Sequence, residues 1–155
     1  MTNPSEPTYA SIARLLFTYV ERLDAGDLDG MAALFEHATF RSVGPDGISV
    51  MTGSAEVRAG FAGSVRMHDG VPATQHVTTN LIVDEAPDGR TATARAVFTV
   101  LQSTPRLPLQ VVVAGNYVDQ FERVESGWRF TDRLVHIRHV GDISEHLLVD
   151  LPGNE

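Results

Sequence analysis

Proton abstraction beside a carbonyl or a leaving group needs a base whose pKa lies near neutrality, commonly His, and a carboxylate that fixes its tautomer. The run Gln75-His76-Val77-Thr78-Thr79-Asn80 offers such a base. Strand alternation puts His76, Thr78, Asn80 and Ile82 on one face and Val77, Thr79 and Leu81 on the other. A face of His, Thr and Asn is unusual for a core and suits the lining of a ligand cavity. An isolated His on an amphipathic strand more often faces solvent, so its assignment turns on its partners.

Asp24 closes a helical run at the flank of its apolar stripe, from which it could point toward a cavity mouth. A carboxylate at a helix C-terminus is electrostatically misplaced, which hints at a local use. Tyr19 lies within that stripe, and its hydroxyl needs a partner that a cavity or ligand could supply. The chain has twelve basic side chains, all of them Arg, so a fixed cation facing an oxyanion must be Arg or protonated His. Arg95, Arg123, Arg129, Arg133 and Arg138 fall on expected strands, and alternation alone does not say which turns inward.

The elements that must position these residues are legible in the hydrophobic pattern. From Tyr9 to Asp24, the positions Ile12, Leu15, Leu16, Tyr19, Val20 and Leu23 repeat as one helical stripe. Gly26 supplies a left-handed stop and Asp27 an N-cap for a short second helix carrying Leu28, Met31, Leu34 and Phe35. Two short strands around Gly44-Pro45-Asp46-Gly47 follow, the first holding Phe40. Ser54 and Glu56 open a third helix expected to run to about His68, with Gly60 and Gly63 allowing close approach. Four β-rich runs complete the chain, Gln75–Asp84, Thr91–Thr104, Leu109–Arg123 and Trp128–His139, spaced for an antiparallel meander. The tail from Gly141 to Glu155 is expected to fray.

At 155 residues the chain is expected to form a single domain, 1–155, with a core over about 9–139 and a C-terminal tail over 140–155. The fold class is α+β, with three N-terminal helices on one face of a strongly curved, mixed or antiparallel sheet that encloses an apolar cavity. The net charge of −8 disfavours nucleic-acid binding. With no Lys there is no Schiff-base amine, and with no Cys there is no thiolate nucleophile, iron–sulfur ligand or disulfide. No Gly-x-Gly-x-x-Gly, phosphate-cradling loop or Gly-x-Ser-x-Gly elbow occurs, so no cofactor is expected. His136-x-x-His139 points its rings to opposite strand faces, and no metal is expected. Lacking a secretion signal or a long apolar run, the chain reads as cytoplasmic, without a membrane partner.

The run Phe17–Phe35, with Tyr19, Asp24, Gly26 and Asp27, then His76-x-x-x-Asn80, Gly115-Asn116-Tyr117 and Gly127-Trp128-Arg129-Phe130, resembles the nuclear-transport-factor-two-like superfamily in its SnoaL-like branch. The resemblance covers roughly Tyr9 to His139 and implies a cone-shaped α+β barrel around one pocket. In the scytalone dehydratase-like, bile-acid dehydratase-like and dehydrochlorinase-like members, an Asp closing the first helix pairs with a His opening the third strand. The matching positions are Asp24 and His76. Tyr19 and Arg133 match a Tyr and an Arg of these lyases, and the likeness implies a homodimer or other homo-oligomer. Scytalone dehydratase has a second catalytic His on the following strand, but Thr91–Thr104 contains none. The carboxylates of ketosteroid isomerases would fall near Ser42 and Ala114, and Arg95 lacks the Asp two residues on that limonene epoxide hydrolase carries.

The resemblance therefore implies a cofactor-independent lyase of the dehydratase type, acting on a small hydrophobic cyclic or polyketide-like molecule. His76, Asp24, Tyr19 and Arg133 would be catalytic, with Asn80, Tyr117 and Phe40 shaping the pocket. A polyketide cyclase or isomerase in the same pocket, with Asp119 as another possible base, and a non-catalytic small-molecule binder are the alternatives.

Overall fold

The computed structural model describes residues 5–149. Helix α1 (Thr8–Asp24) buries the whole expected stripe, with Ile12, Leu16, Tyr19 and Leu23 at 3% exposure or less. Gly26 ends this region at φ +77°, where a side chain would overlap the Gly70 carbonyl oxygen. The Asp27 carboxylate then accepts the Gly30 N–H at 2.8 Å and caps α2 (Leu28–Ala33).

Strands β1 (Thr39–Gly44) and β2 (Gly47–Thr52) form the hairpin read from the turn residues. Helix α3 (Gly53–Ser64) stops four residues short of the expected end at His68. Val65 is already extended and bridges Leu147, while the backbone of Ser64 and Arg66 bonds the C-terminal segment. Of the two glycines expected to allow close approach, Gly60 does so, onto Met51, whereas Gly63 faces open space.

Strands β3 (Thr74–Glu85), β4 (Thr91–Thr104), β5 (Leu107–Val124) and β6 (Gly127–Val140) make the antiparallel meander. The six-stranded order is β2-β1-β6-β5-β4-β3, and β1 pairs with β6 in parallel. The fold is thus α+β with a mixed sheet that curves around the helices but does not close. Register shifts at Thr79/Ile82, Val100/Leu101 and Ala114/Gly115 supply bends, because an extra residue on one strand locally increases twist. At Gly115 a side chain would overlap the His136 carbonyl oxygen, so this bend requires glycine.

Two further expectations fail for local reasons. Asn80 takes φ +55° inside the β3 irregularity, which reverses the alternation: Leu81 and Val83 turn inward, while Asn80 and Ile82 are exposed. Asn80 therefore lies outside the pocket it was expected to shape. The tail does not fray as far as Val149, since Ile143 and His146 are buried and Gln102 Nε2 donates to the Glu145 carbonyl at 2.8 Å. The Pro152-Gly153-Asn154 end lies outside the described residues. Among the described residues, no helix is long and apolar enough to cross a membrane.

Candidate active site

A cavity of about 290 Å³ lies between α1, α3, the concave sheet face and the C-terminal segment. Its wall is mainly apolar, including Phe40, Phe61, Phe98, Val113, Val135 and Leu147, and its polar groups include Tyr19, His76, Tyr117 and His146.

His76 comes from the start of β3 and is held by Asp24 at the end of α1. Asp24 Oδ1 accepts from His76 Nδ1 at 2.5 Å and from the Thr74 hydroxyl at 2.8 Å, while Oδ2 accepts the His76 backbone N–H at 2.8 Å. The side chains of His76 and Asp24 are 7% and 21% exposed. Burial works against ionising Asp24, but the hydrogen bonds and charge of His76, with help from Thr74, hold its carboxyl below the usual value. An ionised carboxylate only accepts, so the neutral imidazole carries its hydrogen on Nδ1 and its lone pair on Nε2. The contacts also resolve the misplacement at the helix terminus: the charge is turned onto β3 and met there by three donors.

Tyr19 and Tyr117 are 3% and 2% exposed and meet edge to face with centroids 6.1 Å apart. Burial pushes the Tyr19 hydroxyl up to about 12 and that of Tyr117 well above its ordinary value, so both remain protonated donors at neutral pH. Behind these rings lies Arg133, fully buried, its guanidinium carbon 4.4 Å from the Tyr19 centroid and 4.1 Å from that of Tyr117. It donates two hydrogen bonds to Asp119, each 2.8 Å, which is also fully buried. Burial alone would discourage the Arg133 charge, but the Asp119 carboxylate more than offsets this and keeps it protonated.

The sequence-derived site is therefore brought together in part. His76, Tyr19, Tyr117 and Phe40 line one cavity, and Asp24 bonds His76 from its edge. Arg133 is not part of the wall; it supports the two tyrosines from beneath. Asp119, the other candidate base, is tied to Arg133 in a two-bond ion pair. Two residues were missed. Thr74 stands two residues before His76 on the same strand face, a spacing that alternation could have exposed. His146 lies in a segment whose apolar positions Ile143, Leu147 and Leu148 were the available sign of packing.

A SnoaL-like domain family model matches residues 7–134. The chain belongs to the SnoaL-like family. No curated protein matches it by sequence. This SnoaL-like chain is similar in fold to a nuclear-transport-factor-two-like protein with a cystatin-like fold from Novosphingobium aromaticivorans, at 23% identity and TM-score 0.71, covering 89% of this chain and 86% of that one. A presumptive scytalone dehydratase from the same organism is 25% identical with TM-score 0.66, covering 86% and 85%. A presumptive aromatic ring hydroxylase, again from that organism, is 23% identical with TM-score 0.69, covering 89% and 95%.

Proposed function

We propose that this SnoaL-like chain is a cofactor-independent lyase that eliminates water from a small hydrophobic cyclic or polyketide-like molecule. The observation that carries the reading is the 2.5 Å contact between Asp24 Oδ1 and His76 Nδ1 beside an apolar cavity. The contact leaves Nε2 as the base: it takes the proton on the carbon next to a carbonyl, and Asp24 stabilises the imidazolium that forms. The electron pair of the broken C–H bond forms the new double bond, and hydroxide departs from the adjacent carbon, taking up a proton as water. The protonated hydroxyls of Tyr19 and Tyr117 donate to the developing oxyanion. Arg133 acts through them, its charge lying against both rings instead of against the ligand. The scytalone dehydratase likeness supports the same class of reaction.

The test is conversion of 3-hydroxy-1-tetralone, whose dehydration product aromatises to fluorescent 1-naphthol. Wild-type protein is expected to accelerate the reaction, and His76→Ala to lose about 10²–10⁴-fold of that rate while remaining folded. Equal rates in the two proteins would remove the reading. Recovery of an isomer with unchanged mass would instead assign the isomerase chemistry to this pocket.

A further inference from the structure

His146 is 8% exposed and lines the same cavity as His76, yet its Nδ1 is buried with no hydrogen-bond partner among the described residues. Buried polar atoms almost always find partners, so an orphaned ring nitrogen in a residue of the cavity wall requires an explanation. The position of the ring does not depend on its own polar atoms. The His146 carbonyl accepts the Arg66 N–H at 2.8 Å, its N–H donates to the Ile143 carbonyl at 2.9 Å, and the Leu148 N–H donates to Ser64 at 2.8 Å. An apolar side chain could occupy this place, as Leu147 does next to it on the same wall. A polar ring is favoured here only if something entering the cavity completes its hydrogen bonding.

His146 also differs in kind from His76. No carboxylate bonds its ring among the described residues. Burial, with His76 adding to it and Asp24 opposing, pushes its pKa down to about 4. At neutral pH it is an uncharged imidazole with one N–H and one lone pair, suited to grip an oxygen substituent and poorly matched to proton abstraction.

We propose that His146 is a ligand-contacting residue of this cavity, hydrogen-bonding an oxygen substituent of the small molecule while the apolar wall holds its rings. The inference rests on the small-molecule reading above and sharpens its substrate class. The cavity selects an oxygenated cyclic compound over the matching hydrocarbon, and His146 supplies part of that selection.

The experiment compares 1-tetralone with its hydrocarbon counterpart tetralin, titrated into the full chain and into His146→Phe and His146→Gln. Methyl shifts of Val113 and Leu147 report occupancy of the cavity. Wild type is expected to bind tetralone more tightly than tetralin. His146→Phe should reduce that ratio by about three- to tenfold, the loss expected for one neutral hydrogen bond, while still binding tetralin. His146→Gln, which keeps a donor and an acceptor, should retain part of the preference. If both compounds bind and the His146→Phe ratio equals that of wild type, the role of His146 is overturned and the cavity reading stands. If neither binds wild type in the cavity, both fall together. Loss of tetralin binding along with tetralone in both variants would make His146 a packing residue and overturn the inference.

Discussion

Asp24 holds His76 through both of its oxygens, Oδ1 on the ring Nδ1 at 2.5 Å and Oδ2 on the backbone N–H at 2.8 Å. The carboxylate thereby fixes the ring's tautomer and also ties the end of α1 to the start of β3. Asp24→Asn keeps the shape but can present an amide donor to Nδ1, favouring the wrong tautomer. The expected result is a loss of about 10²–10⁴-fold in kcat on 3-hydroxy-1-tetralone, with KM changed much less. A variant with wild-type kcat would mean that the contact is only structural.

The Arg133–Asp119 pair is sealed from solvent on both sides. Removing one partner leaves an uncompensated buried charge, so Arg133→Leu should destabilise the protein by about 3–5 kcal/mol. Asp119→Leu combined with Arg133→Met should recover much of that loss, because a well-packed apolar pair carries no desolvation penalty. Urea denaturation of the single and double variants checks the expectation.

Stability should fall as pH drops from about 6.5 to 4. In that window the unfolded chain protonates His146, whereas the folded protein, with the pKa held down to about 4, does not. The unfolded state then binds more protons, and the shift corresponds to roughly 3 kcal/mol by pH 4. Asp24 acts lower: its depressed folded pKa contributes stability above the ordinary carboxylate range, which is lost as pH falls through the folded value. Melting temperatures against pH for wild type and His146→Gln separate the two, since the variant should lose the slope above pH 4 and keep that below it.

Asn80 serves the backbone rather than the pocket. Its φ of +55° suits Asn or Gly, so Asn80→Gly should leave stability within about 1 kcal/mol and tetralone affinity unchanged. Asn80→Ile should lose roughly 1–2 kcal/mol in thermal denaturation through the same dihedral. A large change in ligand affinity in the glycine variant would return Asn80 to the binding wall.

Helical spacing carried enough information to place α1 and its buried stripe, because Ile12 through Leu23 obey a single period. Turn chemistry likewise located the β1–β2 hairpin and the breaks between β3 and β6. Alternation failed at Asn80 because a single irregular residue reverses every face after it, and an Asn, although it tolerates a positive φ, is too weak a sign to place the irregularity. It was also silent on Arg133, since facing inward distinguishes neither the cavity wall from the layer beneath nor ligand from Asp119. His146 escaped because Ile143, Leu147 and Leu148 are too few to define a period; what anchors their segment is backbone pairing to Ser64 and Arg66.

The most direct measurement is exchange of the C2 protons of 1-tetralone for deuterium, followed by proton NMR in deuterated buffer with wild type and His76→Ala. This reads proton removal alone, without requiring a leaving group. Wild type is expected to catalyse the exchange and His76→Ala to lose at least about 10²-fold of it, with cavity binding of tetralone retained. Equal exchange rates in the two proteins, with tetralone seated in the cavity of both, would contradict a base at His76.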